Sequence, residues 1–173
     1  MKKLIFLSGN ANCGKTTSLK YLIGWFLNLP QPPHSVRVVY CSDHARLNQL
    51  EKAWAKKQPL PKGEFSVVLE IDGILVGIWT EGDRIGSVWN GVTFFERRCC
   101  DIGIVACHPW HLDRSLYCLV SKWANHRIFS KTPVASPNLQ DQENQDMAQK
   151  LFHEIMATIK SVLQSTSTTP SNP

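Results

Sequence analysis

A short apolar run leads straight into a glycine-containing loop and then into a helical pattern at the start of this 173-residue chain. The run covers residues 4–7 and is typical of a buried strand. Residues 9–16 follow and read GNANCGKT. Apolar side chains then recur at helical spacing over residues 17–29, and Pro30 ends the pattern. This order predicts a loop that joins the carboxyl end of a strand to the amino end of a helix.

The loop fits G-x-x-x-x-G-K-S/T, a pattern in which each fixed position serves phosphate binding. Gly9 and Gly14 permit backbone conformations that a Cβ obstructs, so the N–H groups of the loop can turn inward around an anion. Lys15 can reach the β- and γ-phosphates of a nucleotide, and the Thr16 hydroxyl can ligate Mg²⁺. The positive end of the following helix faces the same phosphates. The predicted phosphate-binding residues are Gly9, Asn10, Ala11, Asn12, Cys13, Gly14, Lys15, Thr16 and Thr17.

Strand and helix patterns alternate along the rest of the chain, with one exception. Strand-like runs cover residues 36–40, 101–107 and 127–130, and helical patterns run through 47–54, 85–97, 112–123 and 141–164. The exception is a pair of runs joined by Asp72 and Gly73, which is a strong hairpin signal and makes Asp72 a turn residue. We therefore predict a three-layer α/β domain over residues 1–164, with a mostly parallel sheet, one inserted hairpin and flanking helices. Residues 165–173 are predicted to form a disordered tail.

Three acidic residues follow predicted strands, at the sheet edge where ligands of α/β folds bind. Glu81 and Asp83 come after the second arm of the hairpin and are the first candidates for a Mg²⁺ ligand or a water-positioning group. Asp43 follows the second strand and is the third candidate, able to orient an acceptor hydroxyl. Each of these side chains could instead cap a helix or stabilise a turn, as Asp43 and Asp83 would if they precede helices.

Residues 108–114 form a second group of candidates at the same edge. Arg114 could fold over the phosphates and stabilise developing negative charge, with Arg84 as a less specific alternative. His108 and His111 could contact phosphate or base, and Trp110 could stack on a base or simply pack. Cys107 together with these histidines suggests a zinc site, but the sequence offers no second pair of ligands at a suitable spacing, which disfavours it. The expected catalytic set is Lys15, Asp43, Glu81, Asp83 and Arg114, and the expected metal ligands are Thr16, Glu81 and Asp83.

Composition narrows the class of protein. No apolar run approaches the roughly 20 residues that span a bilayer, so no membrane association and a cytoplasmic location are expected. Six cysteines without a paired framework are expected to be free thiols, and oxidation of Cys13 in the loop could block nucleotide binding. The net charge of +5 comes without a long basic run or an aromatic–basic repeat, so nucleic acid is not indicated as a partner.

With residues 9–16 between a strand and a helix, the chain resembles the P-loop NTPase superfamily. Its short length and Asp43 after the second strand look similar to small P-loop kinases of the nucleoside-monophosphate and shikimate kinase group, and the chain also resembles small bacterial or phage ATP-binding proteins. The resemblance implies binding of a nucleoside triphosphate with Mg²⁺, and ATP is favoured because no guanine-reading Asn/Thr-Lys-x-Asp pattern is present.

Three functions stay open from the sequence. The first is hydrolysis of a nucleoside triphosphate. The second is transfer of the γ-phosphoryl group to a small molecule or nucleotide, and the third is nucleotide binding without catalysis inside a larger assembly. The phosphoryl acceptor or protein partner cannot be read from any motif in the chain.

Overall fold

The computed structural model describes residues 2–112, 120, 123–134 and 136–167, with side chains described as far as residue 165. Its strands are β1 (Lys3–Gly9), β2 (Val36–Cys41), β3 (Ser66–Ile71), β4 (Ile74–Trp79), β5 (Ile102–Cys107) and β6 (Asn125–Lys131). Its long helices are α1 (Lys15–Leu27), α2 (His44–Ala55), α3 (Ile85–Arg97) and α4 (Pro137–Ser167), and residues 109–112 are also helical. Arg114 and most of the helix expected over 112–123 lie outside the described residues.

The six strands form one sheet in the order β2-β3-β4-β5-β1-β6. The pairs β4–β5, β5–β1 and β1–β6 are parallel, whereas β2–β3 and β3–β4 are antiparallel. Five strands therefore point the same way and β3 opposes them, which makes the sheet mixed. The carboxyl ends of β1, β4 and β5 meet at one edge, and β3 begins at that edge.

The hairpin predicted at Asp72 and Gly73 is confirmed. Both residues have positive φ, of 51° and 82°, as a tight two-residue turn between twisted strands requires. Asp72 accepts hydrogen bonds from the Ser35 N–H at 2.8 Å and lies 2.8 Å from Nδ1 of His34. The hairpin is part of the sheet rather than an appendage to it, because its second arm, β4, pairs with β5 in the sheet interior.

Helices cover both faces of the sheet. Alternate residues of β1 point to opposite sides, with Ile5 and Leu7 in one hydrophobic cluster and Leu4 and Phe6 in the other. The first cluster takes in α1, α2 and α4, and the second takes in α3. The α/β class with helices on both faces of a six-stranded sheet is therefore confirmed.

Element bounds follow the predictions closely where the apolar period is strong. Helix α3 runs from Ile85 to Arg97, as predicted, even though it contains two glycines. Helix α4 begins four residues before the predicted start and extends to Ser167, three residues beyond the predicted domain boundary. Residues 168–173 of the predicted disordered tail lie outside the described residues. In the part of the chain that the structure describes, no helix is both long and apolar enough to cross a membrane.

Candidate functional site

The loop between β1 and α1 has the left-handed backbone conformation at Gly14 that favours glycine. Asn12 and Gly14 have positive φ, of 60° and 85°, and α1 begins directly at Lys15. A Cβ on Gly14 would lie 2.0 Å from Oδ1 of Asn144 on α4, so glycine is required both by the φ angle and by the close approach of that side chain. The first N–H groups of α1 have no partner within the helix and lie at the mouth of the loop.

Lys15 folds back across this loop. Its side chain is only 5% exposed, and Nζ donates to the carbonyl oxygens of Gly9 at 2.8 Å and Asn10 at 2.9 Å. The same Nζ lies 3.6 Å from Oδ1 of Asp83, whose side chain is 66% exposed. The ammonium group is thus held at the mouth of the loop, between the backbone that would cradle a phosphate and a carboxylate from the end of β4.

A cavity of about 320 Å³ opens between this loop and the ends of the strands. It is lined by Asn12, Gly14, Lys15, Thr16, Thr17, Glu64, Thr80 and Asp83. The Thr16 hydroxyl donates to the carbonyl oxygen of Thr80 at 3.1 Å and lies 3.5 Å from Oε1 of Glu64. A lysine, a hydroxyl oxygen and two carboxylates therefore surround one space at the amino end of α1.

The structure separates the two acids that the sequence placed together. Asp83 lines the 320 Å³ cavity with Lys15 and Thr16, whereas Glu81 lines a neighbouring cavity of about 140 Å³. Between them, Gly82 is packed so tightly that a Cβ would lie 1.9 Å from the carbonyl oxygen of Ala106. Asp83 does not cap α3, because the residue at the N-cap is Arg84, which makes no side-chain capping bond.

Glu64 is a site residue that sequence reasoning missed. It precedes β3, and the antiparallel pairing of Ser66 with Trp79 brings it to the end of β4. Thr80 holds this junction: its buried hydroxyl accepts from the N–H of Phe65 and donates to the carbonyl oxygen of Phe65, both at 2.9 Å. The predicted hairpin could have revealed Glu64, because residues before the first arm of a hairpin lie opposite residues after its second arm.

The surroundings of Glu64 change the pKa of its carboxyl group. Burial, followed by the negative charges of Glu81 and Asp83, raises the pKa of Glu64 above its ordinary value, and the hydrogen bond from Thr16 and the charge of Lys20 oppose this rise. Two neighbouring carboxylates thus disfavour the charged form of Glu64 at the end of β4. A bound cation or a donor from a ligand would relieve their mutual repulsion.

Asp43 has the capping role that was its alternative prediction. Its side chain accepts from the N–H of Arg46 at 2.9 Å, at the N-cap of α2, and its Oδ2 lies 3.2 Å from Nη1 of the same arginine. Arg46 in turn donates from Nη1 to the backbone carbonyl of Glu64 at 2.6 Å. The cavity with Lys15 and Thr16 does not include Asp43 in its lining. Asp43 is thus connected to the segment that carries Glu64 through Arg46.

His111 lies close to the loop, beside His108. The two imidazole centroids are 5.9 Å apart, and the buried Nδ1 of His111 has no hydrogen-bond partner among the described residues. Burial, and then the charge of His108, lower the pKa of His111. The charge of Lys15 also lowers this pKa, whereas the charge of Asp83 raises it, so the charges of Lys15 and Asp83 both act on this ring. Trp110 is 64% exposed and packs little.

The prediction of free thiols is confirmed for the part of the chain that the structure describes. The five cysteines within the described residues are free, and Cys118 lies outside them. Burial raises the pKa of Cys107 to about 12, which disfavours the thiolate that zinc requires. The described residues contain no group of three or more His, Cys, Asp or Glu side chains that could hold a metal ion. Cys13 is fully buried, with Sγ only 2.4 Å from where a Cβ on Gly9 would lie.

Comparison with known proteins adds no relative to this picture. No family model matches the chain, and no similar curated protein or solved structure was found.

Lys20, one turn into α1, ties this helix to the segment before Glu64. It is 4% exposed, and Nζ donates to the carbonyl oxygen of Pro61 at 2.6 Å. Burial, and then the positive charge of Arg46, lower the pKa of Lys20 from 10.5 to about 8, while the charge of Glu64 raises it. The charged form is therefore less favourable in the folded chain than in the unfolded chain.

This burial makes the stability of the chain depend on pH in a defined direction. Between pH 8 and 10.5 the folded state releases the Lys20 proton before the unfolded state does, so the unfolded state binds more protons. The free energy of unfolding of the wild type, relative to Lys20→Met, should rise by on the order of 2 kcal/mol across this range. Denaturant titrations at several pH values measure this difference in unfolding free energy. Lys160→Met, on the exposed surface of α4, serves as the control. A difference that stays flat with pH would contradict the lowered pKa.

Proposed function

We propose that this chain is a P-loop nucleoside triphosphatase that binds a triphosphate with Mg²⁺ in the loop of residues 9–16 and hydrolyses it, with ATP as the favoured substrate. One observation carries the proposal. The loop backbone, the Lys15 ammonium, the Thr16 hydroxyl and the Asp83 carboxylate line a single cavity at the amino end of α1. Phosphate binding at this type of loop uses backbone N–H groups, a lysine ammonium and a helix N-terminus together.

The oxygen atoms around this cavity fit Mg²⁺. The Thr16 hydroxyl has two acceptors within reach for its one proton, the Thr80 carbonyl at 3.1 Å and Oε1 of Glu64 at 3.5 Å, and with either one its lone pairs remain free to ligate. Asp83 supplies a carboxylate, and Mg²⁺ in proteins usually takes only one or two such ligands besides phosphates and water. Thr16 and Asp83 would hold the ion, which when bound neutralises charge on the phosphate oxygens. A site of this kind needs no cluster of three protein ligands.

The reaction assigned to this site is attack of water on the γ-phosphorus. The bond from the γ-phosphorus to the bridging oxygen breaks, the nucleoside diphosphate leaves with the electron pair, and the water proton goes to solvent or to a nearby carboxylate. Lys15 would contact the phosphate oxygens, exchanging its present carbonyl partners for them. Glu64, which lies 3.5 Å from the Thr16 hydroxyl and carries a raised pKa, is suited to orient the attacking water.

An assay of phosphate release from MgATP tests this function. We expect release without any added acceptor, and no increase when nucleosides, nucleotides or small alcohols are supplied. Phosphorylated acceptor with little free phosphate would identify the chain as a kinase instead. Binding of MgATP without turnover under all of these conditions would support a nucleotide-binding subunit and contradict hydrolysis.

A further inference from the structure

A second, larger cavity adjoins the one that the phosphates would occupy. It has a volume of about 590 Å³ and lies between the first turns of α1, the segment 57–63 and Asp141 of α4. Thr16 and Thr17 line both cavities, so the two spaces meet at the amino end of α1. Its volume is within the range of roughly 300–1,000 Å³ typical of small-molecule sites.

The walls of this cavity differ from those of the phosphate cavity. Pro59, Leu60 and Pro61 give it an apolar side, and Tyr21 gives it an aromatic one. Asp141 places a carboxylate there, which accepts from the Tyr21 hydroxyl at 2.7 Å and from Nε2 of Gln145 at 2.9 Å. Flat apolar surfaces beside a single acceptor carboxylate suit a ligand that has planar faces and carries hydroxyl or amino donors.

The walls of the cavity are fixed by contacts within the chain. Lys20 on α1 holds the segment 57–63 through the carbonyl oxygen of Pro61. Tyr21 is fixed by Asp141 on one side and by an edge-to-face contact with Trp54, 6.1 Å between ring centroids, on the other. Such a space is formed before a ligand arrives, which reduces the ordering that binding would require.

We infer that this cavity binds the nucleoside part of the triphosphate, with its base against Tyr21 and Leu60 and its donors facing Asp141. The inference rests on the proposed function, since it takes the phosphates to lie in the loop. From there the rest of the nucleotide must leave the phosphate cavity along one side. The Glu64 and Asp83 side carries negative charge and suits the metal, whereas the Thr17 side leads into the larger cavity, where Lys57 and Lys62 add positive charge.

Two ligands separate this inference from phosphate binding itself. Calorimetric titration would compare MgATP with magnesium tripolyphosphate, which has the phosphates and lacks the nucleoside. We expect the wild type to bind MgATP at least roughly tenfold more tightly. Leu60→Trp, which fills the cavity, and Asp141→Ala, which removes the acceptor, should each weaken MgATP by roughly tenfold and leave tripolyphosphate within about twofold.

The controls make each outcome decisive. Asp146→Ala removes a carboxylate from the same helix. Asp146 accepts from Nε2 of Gln142 at 2.8 Å and does not line the cavity, so this variant should leave both affinities unchanged. Retained tripolyphosphate binding shows that the two cavity variants are folded. Equal wild-type affinities for the two ligands, or equal losses for both ligands in the cavity variants, would overturn the nucleoside assignment while leaving phosphate binding in place. Tripolyphosphate affinity that is unaffected by Lys15→Ala would instead refute the proposed function.

Discussion

Lys15→Ala is expected to weaken binding of MgATP by at least roughly 100-fold, which corresponds to about 2.7 kcal/mol. The ammonium group is nearly buried at the mouth of the loop, where its hydrogen bonds to charged phosphate oxygens would be little screened by solvent. Nζ of Lys15 donates to the backbone carbonyls of Gly9 and Asn10, so the substitution removes few contacts that the fold requires. Titration calorimetry measures the loss.

A matched control accompanies this variant. Lys160→Ala removes an equal charge from an exposed position of α4 and should leave MgATP affinity unchanged. Thermal unfolding of both variants reports whether either loses its fold. Wild-type affinity in a folded Lys15→Ala protein would place the phosphates outside the loop.

Asp83→Asn is expected to lower the rate of phosphate release by roughly 100-fold, whereas Glu81→Gln should change it by less than about fivefold. The difference follows from position: Asp83 lines the cavity with Lys15 and Thr16, and Glu81 lines the smaller one beside it. Both substitutions preserve size and remove one negative charge, so each serves as the control for the other.

A second measurement shows how Asp83 acts. If its carboxylate holds Mg²⁺, Asp83→Asn should raise the Mg²⁺ concentration needed for half-maximal turnover more than it weakens binding of metal-free ATP. Because Asp83 also lies 3.6 Å from Lys15, its loss could act through that ammonium alone. In that case metal-free binding would change and the Mg²⁺ dependence would not. A larger effect from Glu81→Gln would reverse the assignment of the two acids.

The loop and its flanking elements could be predicted because their signals are local. The glycines, Lys15 and the apolar periods on either side each act over a few residues, and Asp72 with Gly73 determines a turn by itself. Helix α3 was predicted in spite of its glycines, because Val88, Val92 and Phe95 maintain the apolar stripe that the sheet buries.

The rest of the site depends on contacts between distant parts of the chain. Asn144 lies against Gly14 across 130 residues, and Gln140 donates to the carbonyl of Cys13 at 2.9 Å, yet neither has a motif. The wall at 57–63 comes from a segment whose sequence shows only prolines that end a helix. Glu64 was the exception that could have been found, because the register of a predicted hairpin determines which residues face each other at its open end.

We propose that residues 9–16 cradle the phosphates of a nucleoside triphosphate. A crystal structure with Mg²⁺ and a non-hydrolysable ATP analogue would show where the phosphates bind. We expect β-phosphate oxygens within hydrogen-bond distance of the loop N–H groups and of Nζ of Lys15, with the Thr16 hydroxyl on the metal. Phosphates bound away from this loop, with Lys15 still on the carbonyls of Gly9 and Asn10, would contradict it.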